Sequence, residues 1–170
     1  AACEMLMEQQ AAIDNAAIKK GLASVRWPGR LEIINTAPPI IIDGAHNLMA
    51  ARHLSRFLGQ EADGRKITLV IGILDDKPYG AMLRALLPHV SRIIVTQPFI
   101  DRALPAATLL KTLSALGRDA ETIPNVADAV RKALDETPPE EAICIAGSLY
   151  VVGEAIQALE AMGIRTESDN

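Results

Sequence analysis

The stretch Ile40-Ile41-Ile42-Asp43-Gly44-Ala45-His46-Asn47 joins an apolar run to a polar turn. Three consecutive isoleucines are typical of a strand that is buried on both faces. Behind the turn, residues 48–58 place their apolar side chains on one face of a helix, and Gly59 is expected to end that helix. A strand, a turn and a helix in this order form the repeating unit of a parallel α/β sheet.

The same unit recurs along the rest of the chain. Segments with strand character lie at residues 31–34, 66–71, 92–96, 121–123 and 142–146. Segments with helical periodicity lie at residues 79–87, 105–116, 126–134 and 150–162. This alternation predicts an α/β fold with a mostly parallel sheet and helices on both faces, in which residues 31–34 form an antiparallel edge strand.

A helical segment precedes the predicted sheet. Residues 1–20 favour a helix that ends at Gly21, and the chain begins with Ala1 rather than Met. We therefore expect residues 1–25 to lead in from an earlier domain. Residues 26–164 are predicted to form the α/β domain, and residues 165–170 a polar tail.

The composition argues against several classes of function. The chain has 170 residues, 49% of them apolar and 3% aromatic, with a net charge of −4. It lacks the clustered Lys and Arg that nucleic-acid binding requires, and no apolar run approaches the ~20 residues of a membrane span. Cys3 and Cys144 suggest no zinc site, and Cys144 is expected to be a small buried hydrophobe. A cytoplasmic protein is the default expectation.

Polar residues follow four of the predicted strands, where ligands of open α/β sheets bind. They lie at residues 43–47, 72–78, 96–98 and 147–150. In the first of these segments Asn47 is a good N-cap, and the helix N-terminus behind it suits a phosphate. His46 could donate to a phosphate oxygen and Asp43 could accept ribose hydroxyls. The same residues also fit a capped turn with a satisfied histidine.

The other candidate side chains have two interpretations as well. Lys77 follows two acids, so it either makes a local ion pair or binds a carboxylate or phosphate. Ser148 either caps a helix or contacts a ligand, and Tyr150 either packs with a buried ring or contacts a ligand. Arg30 follows a rigid Pro-Gly turn, which suits phosphate recognition but also a surface arginine. Trp27 is expected to be a packing anchor rather than a base-stacking platform.

Two catalytic motifs are absent from the sequence. It has no G-x-x-x-x-G-K-[ST] loop and no G-x-S-x-G nucleophile elbow. If the domain helps to use ATP, another part of the protein must hold the triphosphate and magnesium.

Five segments in order resemble the C-terminal domain of the folylpolyglutamate synthase/dihydrofolate synthase family, the folate branch of the Mur ligase superfamily. They are Trp27-Pro28-Gly29-Arg30-Leu31-Glu32, Asp43-Gly44-Ala45-His46-Asn47, Gly72-Ile73-Leu74-Asp75-Asp76-Lys77, Val95-Thr96-Gln97-Pro98 with Arg102-Ala103-Leu104-Pro105, and Gly147-Ser148-Leu149-Tyr150-Val151-Val152-Gly153-Glu154. One departure is Leu48, where the family commonly has proline. Proline is favoured at a first helical position but is not required there.

The resemblance implies a Rossmann-like domain of an enzyme that joins L-glutamate to a folate or dihydropteroate, using ATP and an acyl-phosphate intermediate. It implies that Arg30, Asp43, His46 and Asn47 face ATP. It implies that Lys77, Ser148 and Tyr150 lie near glutamate. Magnesium ligands are expected mainly in an N-terminal ATPase domain of the same protein, so this chain alone is expected to be inactive. No catalytic residue or metal ligand is assigned within it, and a monomer is expected.

Two alternatives remain open from the sequence. One is that the chain is the C-terminal domain of another amino-acid ligase of the same superfamily, such as a muramyl-peptide ligase, although the Trp-Pro-Gly-Arg and Gly-Ser-Leu-Tyr segments favour the folate branch. A stand-alone nucleotide-binding regulatory module with a flavodoxin-like fold is the other alternative. The sequence also leaves open whether the parent enzyme makes dihydrofolate, polyglutamates or both.

Overall fold

A computed structural model describes residues 2–8, 13–25, 27–34, 36–61 and 64–164. The strands are β1 Glu32–Ile34, β2 Ile40–Asp43, β3 Ile67–Ile71, β4 Arg92–Val95, β5 Glu121–Thr122 and β6 Ala142–Ala146. The helices are α1 Ala2–Glu8, α2 Asn15–Ser24, α3 Leu48–Glu61, α4 Tyr79–Leu86, α5 Ala106–Ala115, α6 Val126–Glu136 and α7 Leu149–Ala161. A 3₁₀ turn, Leu87–His89, follows α4.

The six strands form one sheet in the order β1-β2-β6-β3-β4-β5. β1 pairs with β2 in the antiparallel direction, and the other neighbours are parallel. The predicted fold class is therefore confirmed, including the antiparallel edge strand. β6, the last strand in the chain, lies between β2 and β3, so residues far apart in sequence share the centre of the sheet.

Helices cover both faces of the sheet because the central strands alternate apolar side chains between them. On β2, Ile41 belongs to a core with Leu54 and Met82 from α3 and α4. Its neighbours Ile40 and Ile42 belong to a second core, which α6 and α7 cover. Strands buried on both faces explain the unbroken apolar runs of the sequence. Cys144 is fully buried in the first core, as expected, and burial raises the pKa of its thiol.

The prediction of one continuous helix over residues 1–20 is wrong. Two helices, α1 and α2, are present, and Asp14 begins the second one as its N-cap. Its side chain accepts from the Ala17 N–H at 2.6 Å, which starts a new helix. Gly21 lies inside α2 rather than at its end. Residues 9–12, on which part of the prediction falls, lie outside the described residues, as do residues 165–170.

Gly59 also lies inside a helix, where it was expected to end one. A Cβ at Gly59 would come 2.7 Å from Cε1 of His89, so the glycine allows α3 to approach that ring closely. The other helices and strands begin and end within three residues of the predicted positions. None of the described helices has the length and hydropathy needed to cross a membrane.

Candidate functional site

The carboxyl ends of four parallel strands meet at one edge of the sheet. In the observed register Asp43 pairs with Ala146, Ala146 with Ile71, and Ile71 with Val95. The segments that follow lie side by side along this edge. We call them the β2 loop (residues 44–47), the β6 loop (147–148), the β3 loop (72–78) and the β4 loop (96–105). The carboxyl edge is where open α/β sheets bind ligands.

Two glycines form part of the floor of this edge. Gly147 has φ +111°, and a Cβ added there would lie 2.5 Å from the carbonyl oxygen of Gly72. A Cβ on Gly72 would lie 2.8 Å from the carbonyl oxygen of Thr96. Because neither position has room for a side chain, the β6, β3 and β4 loops begin in close backbone packing.

A turn at residues 27–31, the Pro-Gly turn, is held against the β2 loop. The Gly44 N–H donates to the Gly29 carbonyl oxygen at 2.8 Å, and the Leu31 N–H donates to Oδ2 of Asp43 at 2.9 Å. Leu31 has φ 47°, a left-handed conformation that is uncommon for a residue with a side chain. The Asp43 carboxylate therefore supports an unfavourable backbone conformation at the end of the turn.

Glu32 holds the Pro-Gly turn through a second carboxylate. Its Oε2 accepts from the Gly29 N–H at 2.8 Å, and the residue is only 2% exposed. Along β1 the alternation buries Glu32 and Ile34 and exposes Ile33. The sequence prediction assigned Glu32 no function. The available signal was an acidic residue at an inward position of an edge strand, beside a Pro-Gly turn.

Asp43 is buried at the junction of these segments. Burial raises the pKa of its carboxyl above the ordinary value, because the charged form loses hydration. The N–H groups of Leu31 and Ala45 and the charges of Arg30 and His46 act in the opposite direction on this pKa. The carboxyl is thus a buried acceptor whose charge depends on its hydrogen-bond donors.

The β2 loop ends in the predicted cap. Oδ1 of Asn47 accepts from the Ala50 N–H at 2.9 Å, so the capping interpretation of Asn47 is confirmed. Nδ1 of His46 lies 3.0 Å from the Gly44 carbonyl oxygen. A carbonyl only accepts, so Nδ1 carries the hydrogen, and a neutral ring presents Nε2 as an acceptor. Donation from His46 to a phosphate therefore requires the protonated ring.

Arg30 and Trp27 project from the Pro-Gly turn. Cζ of Arg30 lies 6.0 Å from the centre of the Trp27 ring, within the range of a cation–π contact. Trp27 is 68% exposed, so its prediction as a packing anchor is wrong. The physical reason is its position beside the edge strand β1, where the ring faces solvent and the Arg30 guanidinium instead of the core.

The β3 and β4 loops carry a small ion-pair cluster. Oδ2 of Asp76 accepts from Nζ of Lys77 at 2.8 Å and from a guanidinium nitrogen of Arg102 at 2.9 Å. The hydrogen bond from Lys77, followed by the charges of both cations, holds the pKa of Asp76 below its ordinary value. Two cations share one carboxylate, so Asp76 offsets only one of them, and the flanking Asp75 and Asp101 add two further acids to the two loops. The local ion pair that the sequence allowed for Lys77 is confirmed.

Ser148 and Tyr150 begin α7 with opposite exposures. Ser148 is fully buried, and its hydroxyl oxygen accepts from the Val151 N–H at 3.1 Å as the N-cap of α7. The predicted capping function is therefore present. Tyr150 is 47% exposed and its neighbour Leu149 is 48% exposed, so both side chains reach the surface at the carboxyl edge.

Comparison with known proteins gives the family. Residues 29–149 match the family model described as Mur ligase, glutamate ligase domain. The chain belongs to this family. It is 37% identical over 144 residues to a probable bifunctional folylpolyglutamate synthase/dihydropteroate synthase of Haloferax volcanii, covering 84% of the chain and 17% of that protein. It is 31% identical to a dihydrofolate synthase/folylpolyglutamate synthase of Bacillus subtilis, covering 90% of the chain and 35% of that protein.

Solved structures resemble this glutamate ligase domain over almost its whole length. Escherichia coli FolC in complex with DHPP and ADP has a TM-score of 0.85 and 26% identity, covering 93% of the chain and 37% of that chain. A bifunctional folylpolyglutamate synthase/dihydrofolate synthase with Mn, AMPPNP and L-glutamate bound has a TM-score of 0.83 and 27% identity. The match covers 94% of the present chain and 38% of the neighbour's chain. The chain thus spans well under half the length of these relatives.

The glutamate ligase domain brings all the predicted site residues to one sheet edge, in two groups. The group around the β2 loop comprises Arg30, Asp43, His46 and Asn47. The group that follows β3 and β6 comprises Lys77, Ser148 and Tyr150. Their contacts with ATP and with glutamate stay predictions. Beyond Glu32, sequence reasoning gave no function to Arg102 and Glu154, whose partners depend on tertiary structure.

Proposed function

We propose that this glutamate ligase domain is the C-terminal part of an ATP-dependent ligase that adds L-glutamate to a folate, making dihydrofolate, folylpolyglutamates or both. The observation that carries the proposal is the contact between Asp43 and the Pro-Gly turn, which holds the turn that carries Arg30 against the β2 loop leading into α3. A guanidinium and free N–H groups at one edge suit the phosphates of ATP. The names of the relatives from Haloferax volcanii and Bacillus subtilis support the folate branch.

The proposed reaction has two steps. A carboxylate oxygen of the folate or dihydropteroate attacks the γ-phosphorus of ATP, and ADP leaves with the electron pair of the broken P–O bond. The glutamate nitrogen then attacks the acyl carbon of the acyl phosphate. The C–O bond breaks, phosphate leaves, an amide forms and the nitrogen releases its proton. Anions approach each other in the first step, so positioned donors have to neutralise phosphate charge.

Arg30 and the N-terminus of α3 are proposed to provide that charge from this domain. Arg30 is exposed on a turn that Asp43 and Glu32 hold from two sides, so its backbone is fixed before ATP arrives. A pre-positioned guanidinium loses less conformational freedom on binding. Asn47 caps α3, and a protonated His46 would add a further donor at the same place.

The proposed glutamate contacts come from the second group of residues. The side chain of Lys77 is 24% exposed, and its ammonium pairs with the Asp76 carboxylate. Arg102 shares the same carboxylate, so Asp76 offsets only one of the two cations, and the Lys77 and Arg102 donors are proposed to bind a substrate carboxylate. Tyr150 is exposed enough to make contact directly, whereas Ser148 is buried behind it as the helix cap. We therefore propose that Lys77 and Tyr150 contact glutamate directly, while the Ser148 hydroxyl holds the start of α7.

Magnesium and the triphosphate are assigned to another part of the enzyme. Within the described ranges, no group of three or more His, Cys, Asp and Glu side chains is arranged to hold a metal ion. We propose that an N-terminal ATPase domain with a P-loop provides the magnesium ligands and most folate contacts. Closure of the two domains would exclude water, which otherwise hydrolyses an acyl phosphate. We further propose a cytoplasmic monomer that binds neither nucleic acid nor a membrane.

Steady-state ligation assays test the proposed function. The complete ligase is supplied with ATP, L-glutamate and, in separate reactions, tetrahydrofolate, dihydropteroate and a muramyl-peptide substrate, and the products are identified by mass. We expect ADP release and an added glutamate with a folate-type acceptor. Ligation with the muramyl substrate alone would instead support another Mur-type amino-acid ligase.

The 170-residue chain by itself provides a second test. We expect it to bind ATP weakly and to ligate no glutamate, because it has no P-loop. Tight nucleotide binding by this chain alone would favour the stand-alone regulatory module. ATP-dependent ligation by this chain alone would contradict the division of the active site between two domains.

A further inference from the structure

Glu154 on α7 contacts the middle of the β4 loop. Its Oε1 accepts from the backbone N–H of Phe99 at 2.7 Å, across 55 residues of sequence. The Glu154 side chain is partly exposed, and Phe99 is fully exposed. The contact therefore lies at the surface of the carboxyl edge, where it contributes little to either hydrophobic core.

The β4 loop has other anchors at its two ends. At its start the Gln97 N–H donates to the Pro124 carbonyl oxygen at 3.0 Å. At its end the Leu104 N–H donates to the Ile73 carbonyl oxygen at 2.9 Å. Glu154 acts between these anchors, on the exposed middle of the loop at Phe99. It thereby links α7, which begins at the β6 loop, to the β4 loop.

The position of the β4 loop matters for the proposed glutamate contacts. Arg102 in this loop shares Oδ2 of Asp76 with Lys77, at 2.9 and 2.8 Å. The Arg102 carbonyl oxygen also accepts from the Asp75 N–H at 3.0 Å. A shift of the β4 loop would therefore change the partners of Asp76 and, through them, the position of the Lys77 ammonium.

We propose that Glu154 is a positioning residue for the glutamate-binding part of the site: it fixes the β4 loop through the Phe99 N–H and so places the Asp76–Lys77–Arg102 cluster. This inference rests on the proposed function. The bond from an N–H to a carboxylate is charge-assisted and stronger than one to a neutral acceptor. Glutamine at position 154 retains an acceptor oxygen at the same reach, whereas alanine removes it.

Kinetics of the complete ligase test the positioning function. For Glu154→Ala we expect the KM for glutamate to rise about tenfold, the factor that corresponds to roughly 1.4 kcal/mol of binding. The KM for ATP should stay within about twofold, because Glu154 bonds to the β4 loop, whereas Asp43 holds the Pro-Gly turn. Glu154→Gln should restore most of the glutamate affinity. Gln157→Ala, an exposed polar change one turn further along α7, is the matched control and should behave as wild type.

Amide hydrogen exchange gives a direct readout of the contact. Loss of the acceptor in Glu154→Ala should speed exchange of the Phe99 amide, while Gln157→Ala should leave it unchanged. A thermal unfolding midpoint measured for each variant shows whether the fold is intact. An equal rise in the KM values for glutamate and ATP, or none in either, would overturn the inference while the proposed function stands. A wild-type ligase that adds no glutamate would overturn the proposed function itself, and this inference with it.

Discussion

The backbone N–H of Leu31 donates to Oδ2 of Asp43 at 2.9 Å, across 12 residues of sequence. This contact joins the Pro-Gly turn to the last residue of β2, and it occurs where Leu31 has a left-handed φ of 47°. Glu32 completes the arrangement by accepting from the Gly29 N–H. Two buried carboxylates thus determine where Arg30 leaves the turn.

Replacement of Asp43 should impair ATP use in the complete ligase. Asp43→Ala leaves the Leu31 N–H without its acceptor, and a hydrogen bond to a charged group contributes about 1.5–3 kcal/mol. We expect the KM for ATP to rise about tenfold or more. Asp43→Asn, which retains an acceptor oxygen, should raise the KM for ATP by less. Asp135→Ala on the exposed side of α6 is the control and should leave the KM for ATP unchanged. Unchanged ATP kinetics in Asp43→Ala would argue against this assignment.

The raised pKa of Asp43 should appear in the pH dependence of stability. The unfolded chain releases its Asp43 proton at a lower pH than the folded chain, so the free energy of unfolding falls as pH rises through the folded-state pKa. Exposed carboxyls such as Asp76, whose pKa is lowered, act in the opposite direction. Urea unfolding of wild type and Asp43→Asn over a pH series separates the two effects. As pH rises, the free energy of unfolding of wild type should fall relative to that of Asp43→Asn. A difference between the two proteins that is independent of pH would contradict a raised pKa for Asp43.

Two glycines give a matched pair of stability tests. Gly147→Ala combines φ +111° with a 2.5 Å approach to the Gly72 carbonyl oxygen, so we expect a loss of about 2–3 kcal/mol or more. Gly153 lies inside α7 on an exposed face, and a Cβ there meets nothing within 4 Å. Gly153→Ala should therefore stabilise the domain by about 0.5–1 kcal/mol. Denaturant unfolding measures both changes, and similar effects at the two positions would disprove the close backbone packing of the carboxyl edge.

Loss of the Lys77 ammonium should affect glutamate more than ATP. In Lys77→Ala the KM for glutamate is expected to rise about tenfold, the factor for one charge-assisted contact of roughly 1.4 kcal/mol. The pKa of Asp76 should rise toward its ordinary value, because the hydrogen bond from Lys77 is the largest cause of its lowering. Steady-state kinetics and NMR titration measure the two effects. Lys111→Ala on the exposed face of α5 is the control, and a selective change in the KM for ATP would count against the assignment.

Local sequence patterns were sufficient for most of the fold. The alternation of strands and helices predicted the sheet and its antiparallel edge strand because apolar periodicity reflects which faces are buried. The Asn47 cap was predictable because its acceptor and donor lie three residues apart. The positions of glycines predicted the helix ends less well. Gly21 and Gly59 lie inside helices, and at Gly59 the reason is the ring of His89, a neighbour that only the folded chain provides.

The sequence by itself determined the fold class, the family resemblance and the segments that line the carboxyl edge. Only the tertiary structure decided how those segments meet. It turned Trp27 toward solvent, buried Glu32 and Asp43 against the Pro-Gly turn, and brought Glu154 to the Phe99 N–H across 55 residues. The physical reason is that the order of strands, with β6 between β2 and β3, determines which distant donors and acceptors come within hydrogen-bond distance.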